Sequence, residues 1–338
     1  MWLLIMDAPH DKPKRRARYS GKNPRRFAEK YKELNPERYP KELEKVRLAG
    51  KTPAGTHRPI MVEEILEVLN PRPGEIVVDC TLGYGGHAEA LLRSVLPGGR
   101  LIGLDVDSVE RSRTEQRLRS IGFGSDVFTA NAMNFAGILK VLSEPADMIL
   151  LDLGISSMQI DDPERGFTFR EDGPLDMRMN PQRGIPAAAW IAGKPKARLA
   201  EFLAENADEP QAERIAHAIV IAKPQTTWQL ADAIRSVDAN DETVRRVFQA
   251  VRIAVNDEFG SLQSFLHSMP LCLKPGGRVA ILTFHSGEDR RVKKMFQEME
   301  RGAEPGKIQS GLIRPTLEEV RSNPRSRSAK LRWLRMAL

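Results

Sequence analysis

The chain has 338 residues, 41% of them hydrophobic and 29% charged, with a formal net charge of +7. That length carries a full-sized core in two domains or one elaborated domain, and no apolar run reaches the roughly 18 residues of a membrane span. Two cysteines exclude a disulfide scaffold and suit a reducing cytoplasm, the six histidines form no spaced metal cluster with them, and "MWLLIM" is too short and lacks a basic start for a secretory signal.

The charge is uneven. Residues 1–57 hold 15 Lys/Arg against 7 Asp/Glu, which leaves the remainder at −1. Residues 1–56 read as a basic, disordered arm with one helix near 26–48. After Glu319 there is no acid, while Arg321, Arg325, Arg327, Lys330, Arg332 and Arg335 form a second basic patch. Two basic ends on a near-neutral body point to a polyanion, RNA or DNA; for the arm, a solvated tail is the alternative.

Order begins near His57. "IMVEEILEVLN" (60–70) places Met61, Ile65, Leu66 and Leu69 on one helical face. "EIVVDC" (75–80) predicts a buried strand, followed by a glycine turn and a helix from Gly86 to Val95. Further strands are expected at 100–107, 126–131 and 147–154, with helices at 108–120 and 134–142. This alternation predicts an α/β fold, a parallel sheet covered by helices on both faces. From about 160 to 250 the rhythm breaks into a Gly/Pro-rich loop (161–186) and helices at 196–206, 211–223, 227–236 and 241–258, read as a helical insertion. The strand pattern returns at "LKPGGRVAILTF" (273–284), with a helix after it. The expected division is an arm (1–56), a sheet domain (57–159 and 251–338) and a helical insertion domain (160–250).

Ligands of open parallel sheets sit at the carboxyl ends of strands. Asp79, the Gly83–His87 turn, Asp105 and Asp152 fall there, and Asp105 is placed to accept hydrogen bonds from ribose hydroxyls. Gly83-Tyr84-Gly85-Gly86-His87-Ala88 fits the spacing of a dinucleotide turn, so an NAD-dependent oxidoreductase is one reading. "LKPGGR" before the late strand, and Asp152 followed by Gly154, Ser156 and Ser157, favour S-adenosylmethionine (SAM) and a methyltransferase as the other.

Longer motifs separate the two. "HRPIMVEEILEVLNPRPGEIVVDCTLGYGGHAEALL", "DMILLDLGISSMQIDDPERGFTFREDGPLDMRMNP", "VFQAVRIAVNDEF", "LKPGGRVAILTFHSGEDRRVKKMF" and "NPRSRSAKLR" occur in order. Together they resemble the bacterial small-subunit (16S) ribosomal RNA cytosine-N4 methyltransferases, the RsmH or MraW family, from His57 to about Arg332. The resemblance implies a class I SAM-dependent methyltransferase, a Rossmann-like doubly wound sheet with a helical insertion, acting in the cytoplasm on a cytidine in the decoding region of the small-subunit rRNA or subunit. It further implies that Gly85, Gly86 and His87 lie along the methionine and sugar of SAM, that Asp105 holds the ribose, that Phe135 lies against the adenine, and that Asp152 and Gln159 complete the pocket. The chain departs from the family pattern in an extra arm, in Met158 where proline is common, in Gly287 where leucine is usual, and in a shorter stretch at 298–314.

The exocyclic amine of cytosine is a poor nucleophile, and a hydrogen-bond acceptor on N4–H favours its reactive form and takes the proton. Asp152 is the first candidate, helped by Ser156 and Ser157. The base must leave its stack; Phe167 and Phe169 are candidates for stacking on it, with Arg165, Arg170 and Arg178 for phosphates. His285, at the end of the last strand, is a candidate to touch the base or orient a loop. Arg325, Arg327 and Lys330 are expected to contact RNA phosphates, unless they pair with carboxylates such as Glu318 or Glu319. Methylation at cytosine C5 would need a cysteine nucleophile, and neither Cys80 nor Cys272 lies in a catalytic loop. An RNA-binding module alone would have no use for the strand-end carboxylates.

Overall fold

Apolar runs broken by single acids build the centre of the molecule. The structure, a computed structural model, describes residues 59–304 and 306–337; the arm expected over 1–56, with its helix near 26–48, lies outside the described residues. Strands β1 (Ile76–Asp79), β2 (Arg100–Asp105), β3 (Phe128–Ala132), β4 (Ala146–Asp152), β5 (Leu273–Thr283), β6 (Gln309–Ile313) and β7 (Lys330–Arg335) form one sheet in the order β3-β2-β1-β4-β5-β7-β6. β1 to β5 pair in parallel, and β7 runs antiparallel to both β5 and β6. The sheet is therefore mixed, not wholly parallel as expected.

Strand side chains alternate between faces, so each central strand feeds two cores. Val77, Met148, Leu150, Ala280 and Leu282 pack against α1 (Val62–Leu69), α2 (Gly86–Val95) and α3 (Ser108–Ser120). Ile76, Val78, Ile149, Leu151, Val279 and Ile281 face the other way, onto Ile138, α10 (Glu258–Ser268) and α11 (Ser286–Gly302). The stretch expected as a helix at 134–142 is a 3-10 helix, Phe135–Lys140, entered through the Asn134 side chain, which accepts from the Ala136 N–H.

Between β4 and β5 the chain is helical: α4 (Ser157–Asp161), α5 (Ala187–Ala192), α6 (Lys196–Ala207), α7 (Ala212–Ala222), α8 (Thr227–Arg235) and α9 (Asp241–Val255). Leu199, Leu203, Ile215, Ile219, Leu230, Ile234, Val247 and Val251 make a third core that includes none of the strand residues. The helix expected to run to 258 stops at Val255, because Asp257 takes a left-handed conformation and α10 starts anew. Asn256 uses that break. Its amide accepts from the Met179 N–H (2.7 Å) and donates to the Met177 carbonyl (2.8 Å), tying the 161–186 loop to the junction.

The last element, a basic patch by its sequence, is a strand. Leu331 and Leu334 are buried, while Lys330 and Arg332 meet Asp289 of α11, both at 2.6 Å. A strand whose charges find a distant partner leaves no alternation of apolar and uncharged residues to read. α12 (Leu317–Ser322) precedes it.

A core separate from the sheet has a measurable consequence. Leu203→Ala should destabilise the helical segment by about 2–5 kcal/mol. Hydrogen exchange should then speed up within 187–255 while the amides of β1 and β4 keep their protection; equal loss in both regions would contradict a separate core.

Candidate active site at the strand ends

The turn after β1 is held from behind. Gly85 has φ 72°, and a Cβ there would lie 2.6 Å from Thr114 Cγ2; a Cβ on Gly86 would lie 2.2 Å from Pro59 Cγ. These glycines are thus required by the turn's own packing between α3 and Pro59. Thr114 Oγ1 donates to the Gly83 carbonyl. Arg117 donates to the carbonyls of Tyr84 and Gly85 (both 2.8 Å) and pairs with Glu89 at 2.7 Å. Neither Thr114 nor Arg117 stood out in the sequence, since an arginine on a charged helix carries no local sign of a buried target.

Asp105, at the end of β2, closes the turn from the front. Its Oδ2 accepts the Gly83 N–H at 2.7 Å and its Oδ1 the Asp107 N–H at 2.8 Å. Each oxygen keeps a lone pair for a further donor. Burial pushes its pKa up to about 6, against the two N–H bonds that lower it. Asp79 is fully buried, and burial raises it too to about 6. Its Oδ1 accepts the Thr81 N–H, and its Oδ2 has no hydrogen-bond partner among the described residues.

Asp152 ends β4 beside Asp79. The Asp152 N–H donates to Thr81 Oγ1 (2.6 Å), which joins the ends of β1 and β4. Burial, then the Glu288 carboxylate, push its side chain up to about 7. His87 Nδ1 lies 3.6 Å from Asp152 Oδ2, and Nε2 lies 2.9 Å from the Ile60 carbonyl. Burial holds the His87 pKa below its usual value.

The other expected residues divide. Ser156 caps α4, its hydroxyl accepting the Gln159 N–H while Gln159 Oε1 accepts the Ser156 N–H; Ser157 opens the helix. Gln159 Nε2 donates to Asp107 Oδ2 at 2.8 Å, so this amide ties α4 to the β2 end. Phe135 follows β3, half-buried, its ring edge-on to Phe265 at 5.9 Å.

Several residues expected to meet RNA are engaged within the protein. Phe167 is 9% exposed in the helical core, and Phe169 packs edge-on against Phe248 at 5.2 Å. Neither is a free stacking platform, because Phe167 is buried in that core and the Phe169 ring is taken up by Phe248 and by Arg235, 5.7 Å from its centroid. Arg165 binds Asp107 (2.8 Å) and the carbonyls of Arg178 and Met179. Arg178 makes a two-pronged pair with Asp176. Arg325 pairs with Asp161 at 3.1 Å and Lys330 with Asp289, so these two are fastened by carboxylates of the folded chain; Glu319 instead accepts the Met61 N–H. His285 precedes α11, its Nε2 3.0 Å from Glu288 Oε1. Burial works to raise Glu288, but the His285 ring, the Phe284 N–H and Arg252 hold it below its usual value. Arg170 and Arg327 are exposed and make no ion pair among the described residues. A Cβ on Gly287 would lie 2.6 Å from Phe259 Cζ, so the Phe259 ring fills the space where the family's usual leucine would stand.

The order β3-β2-β1-β4-β5-β7-β6 with β7 reversed, and a site at the carboxyl ends of β1, β2 and β4, define a class I SAM-dependent methyltransferase. The chain belongs to the MraW methylase family, whose model matches residues 54–337. It is 49% identical to "Ribosomal RNA small subunit methyltransferase H 2" of Alkaliphilus metalliredigens, over 97% of this chain and 99% of that protein. With "Ribosomal RNA small subunit methyltransferase H 1" of Lachnoclostridium phytofermentans it shares 47% identity, over 95% and 92%. With the Rubrobacter xylanophilus "Ribosomal RNA small subunit methyltransferase H" it shares 40%, over 82% and 95%. This membership removes the NAD-dependent oxidoreductase. It also corrects one departure: an alignment over 97% of the chain leaves out too few residues to exclude the first 56, so the arm is not peculiar to this chain.

The residues fit SAM. A buried carboxylate oxygen without a donor at Asp79, and spare lone pairs at Asp105, suit a ligand that brings positive charge and hydroxyl donors. Among the described residues no group of three or more His, Cys, Asp or Glu is placed to hold a metal ion. No helix among them is long and apolar enough to cross a membrane.

Asp105→Ala should raise the SAM dissociation constant by roughly ten- to a hundredfold, about 1.5–3 kcal/mol for lost charged hydrogen bonds. Isothermal titration of the folded variant checks this, and unchanged affinity would remove Asp105 from the pocket.

Proposed function

We propose that this protein transfers a methyl group from SAM to the exocyclic N4 of a cytidine in the decoding region of small-subunit rRNA, in the cytoplasm where ribosomal subunits are made. The observation that carries the reading is Asp152, a carboxylate raised by burial, at the end of β4 and beside the glycine turn. Family membership and relatives named as small-subunit rRNA methyltransferases support the substrate class.

Gly85, Gly86 and His87 would line the methionine and sugar, Asp105 would hold the ribose, and Phe135 and Gln159 would bound the pocket. When bound, the cofactor supplies a methyl group on a sulfonium, whose C–S bond breaks toward a neutral thioether as the C–N bond forms. Asp152 orients the amine by accepting one N4–H and takes that proton as the nitrogen becomes tetrahedral. Ser156, through its two bonds with Gln159, fixes the start of α4 after β4, and Ser157 opens that helix. The helical segment, roughly 160–250, acts as an insertion domain that offers Arg170 to the RNA. Arg327 serves from the other side. β7 begins at Lys330 opposite Thr283, so the segment Pro324–Ser328 just before it lies at the strand-end side of the sheet.

Purified protein incubated with SAM and small subunits, or with rRNA lacking the modification, should yield N4-methylcytidine by nucleoside mass spectrometry; a product methylated at C5 or on ribose would refute the reading. The carboxylate, not the acid, accepts the proton, so turnover should rise with pH through the range around Asp152's value of about 7. Asp152→Asn, which cannot accept a proton, should lower turnover by roughly a hundredfold or more and lose that pH dependence.

The two C-terminal arginines should separate. Arg327→Ala should flatten the log–log salt dependence of RNA binding by roughly one unit and leave the melting temperature alone. Arg325→Ala should cost up to about 1 kcal/mol of stability, because its pair with Asp161 is partly exposed, with the salt slope unchanged. The reverse pattern would assign RNA contact to Arg325.

A further inference from the structure

The mechanism leaves His87 with more than a cofactor contact to explain. A carbonyl oxygen only accepts, so Nε2, 2.9 Å from the Ile60 carbonyl, carries the imidazole proton. The neutral ring therefore turns the bare lone pair of Nδ1 toward Asp152 Oδ2. Their 3.6 Å separation exceeds a hydrogen bond, as expected of two acceptors with no proton between them. The His87 side chain is 9% exposed and the Asp152 side chain 29%, so Asp152 is the member that a substrate can reach.

We infer that His87 is the positioning residue behind Asp152: once Asp152 has taken the proton released by the target amine, Nδ1 accepts a hydrogen bond from that carboxyl group and holds the proton on Asp152. This rests on the methyl-transfer reading above. The N4–H bond breaks as an O–H bond forms on Oδ2 of Asp152, the oxygen that faces Nδ1. The new proton lies between Oδ2 and Nδ1, and the contact closes to a hydrogen bond. The proton stays on Oδ2 in that hydrogen bond, because burial raises Asp152 and lowers His87, and it passes to water once the product has gone. One proton moves and no electron pair is left unassigned.

Burial keeps the ring neutral, and so an acceptor at Nδ1, against the carboxylates around it. Asp79 at the end of β1 and Glu319 of α12 face His87, and both promote its protonation against the effect of burial. Glu288 of α11 faces Asp152, and Asp105 and Asp152 both act on Asp79. With Asp79, Asp152 and Glu319 around it and the Ile60 carbonyl fixing its far side, the ring is oriented to accept a hydrogen bond only at Nδ1.

The test compares His87→Asn with the wild type. Asparagine keeps a polar group near the Nδ1 position, yet takes up no proton at neutral pH. It turns an N–H toward Asp152, so the carboxylate becomes a weaker base. Turnover at saturating SAM should fall by roughly tenfold to a hundredfold, and the acid limb of the pH–rate profile should move to lower pH by roughly half a unit or more. Loss of SAM affinity, with turnover at saturation and the pH profile unchanged, would make His87 a cofactor contact only and overturn the inference. A second measurement leaves His87 in place and needs no turnover. In 15N spectra, the wild-type ring should show protonated Nε2 and bare Nδ1, and its titration midpoint should drop by roughly one pH unit in Asp152→Asn, where the adjacent negative charge is gone. Equal midpoints, or the opposite tautomer, would overturn it. Absence of methyl transfer by the wild type would instead overturn the functional reading itself.

Discussion

Carboxylates gathered in a poorly hydrated space at the ends of adjacent parallel strands are the constraint on which the site depends. Asp79, Asp105 and Asp152 end β1, β2 and β4, and Glu288 stands beyond β5. Burial raises the first three toward neutrality, whereas Glu288 stays low because His285 and Arg252 neutralise it. Such a cluster is costly by itself and becomes favourable when a cation arrives. We propose that a sulfonium with an attached ammonium meets that need, so that the electrostatics that would destabilise the free protein serve to select the cofactor.

Holding those acids in place requires a rigid backbone between them. Asp105 and Arg117 grip the glycine turn from opposite sides, one through an N–H and the other through two carbonyls. Thr81 links the ends of β1 and β4, and Gln159 links α4 to Asp107. Asp107 then also receives Arg165, which reaches on to the carbonyls of Arg178 and Met179. The loop leading into the helical segment is thus coupled to the carboxyl end of β2 through a single buried carboxylate. Arg165, Phe167 and Arg178 lie along that connection, and for this reason they serve packing and pairing within the protein.

The C-terminal segment follows the same logic of neutralisation. Its arginines and lysine lack acids nearby in sequence, yet Asp289 and Asp161, 41 and 164 residues away, supply them. Arg327, in the same short run, finds no such partner among the described residues and remains exposed.

The local grammar of the sequence determined the β-α alternation, the glycine turn and the acids at the strand ends. Each is written in contiguous residues: a buried parallel strand is a continuous apolar run, and the residue that follows it is at the ligand end. The long motifs likewise sufficed to indicate the family. Only tertiary structure decided which charges are spent and which are available. Phe167 and Arg178 look like RNA contacts in a loop and are closed off by the helical core and Asp176. β7 looks like a basic tail and becomes an interior strand once Asp289 meets Lys330 and Arg332. The lone pair of His87 faces Asp152 because the carbonyl of Ile60, 27 residues earlier, claims the other nitrogen. Pairing across such distances depends on where the chain returns in space, which spacing along the sequence does not encode.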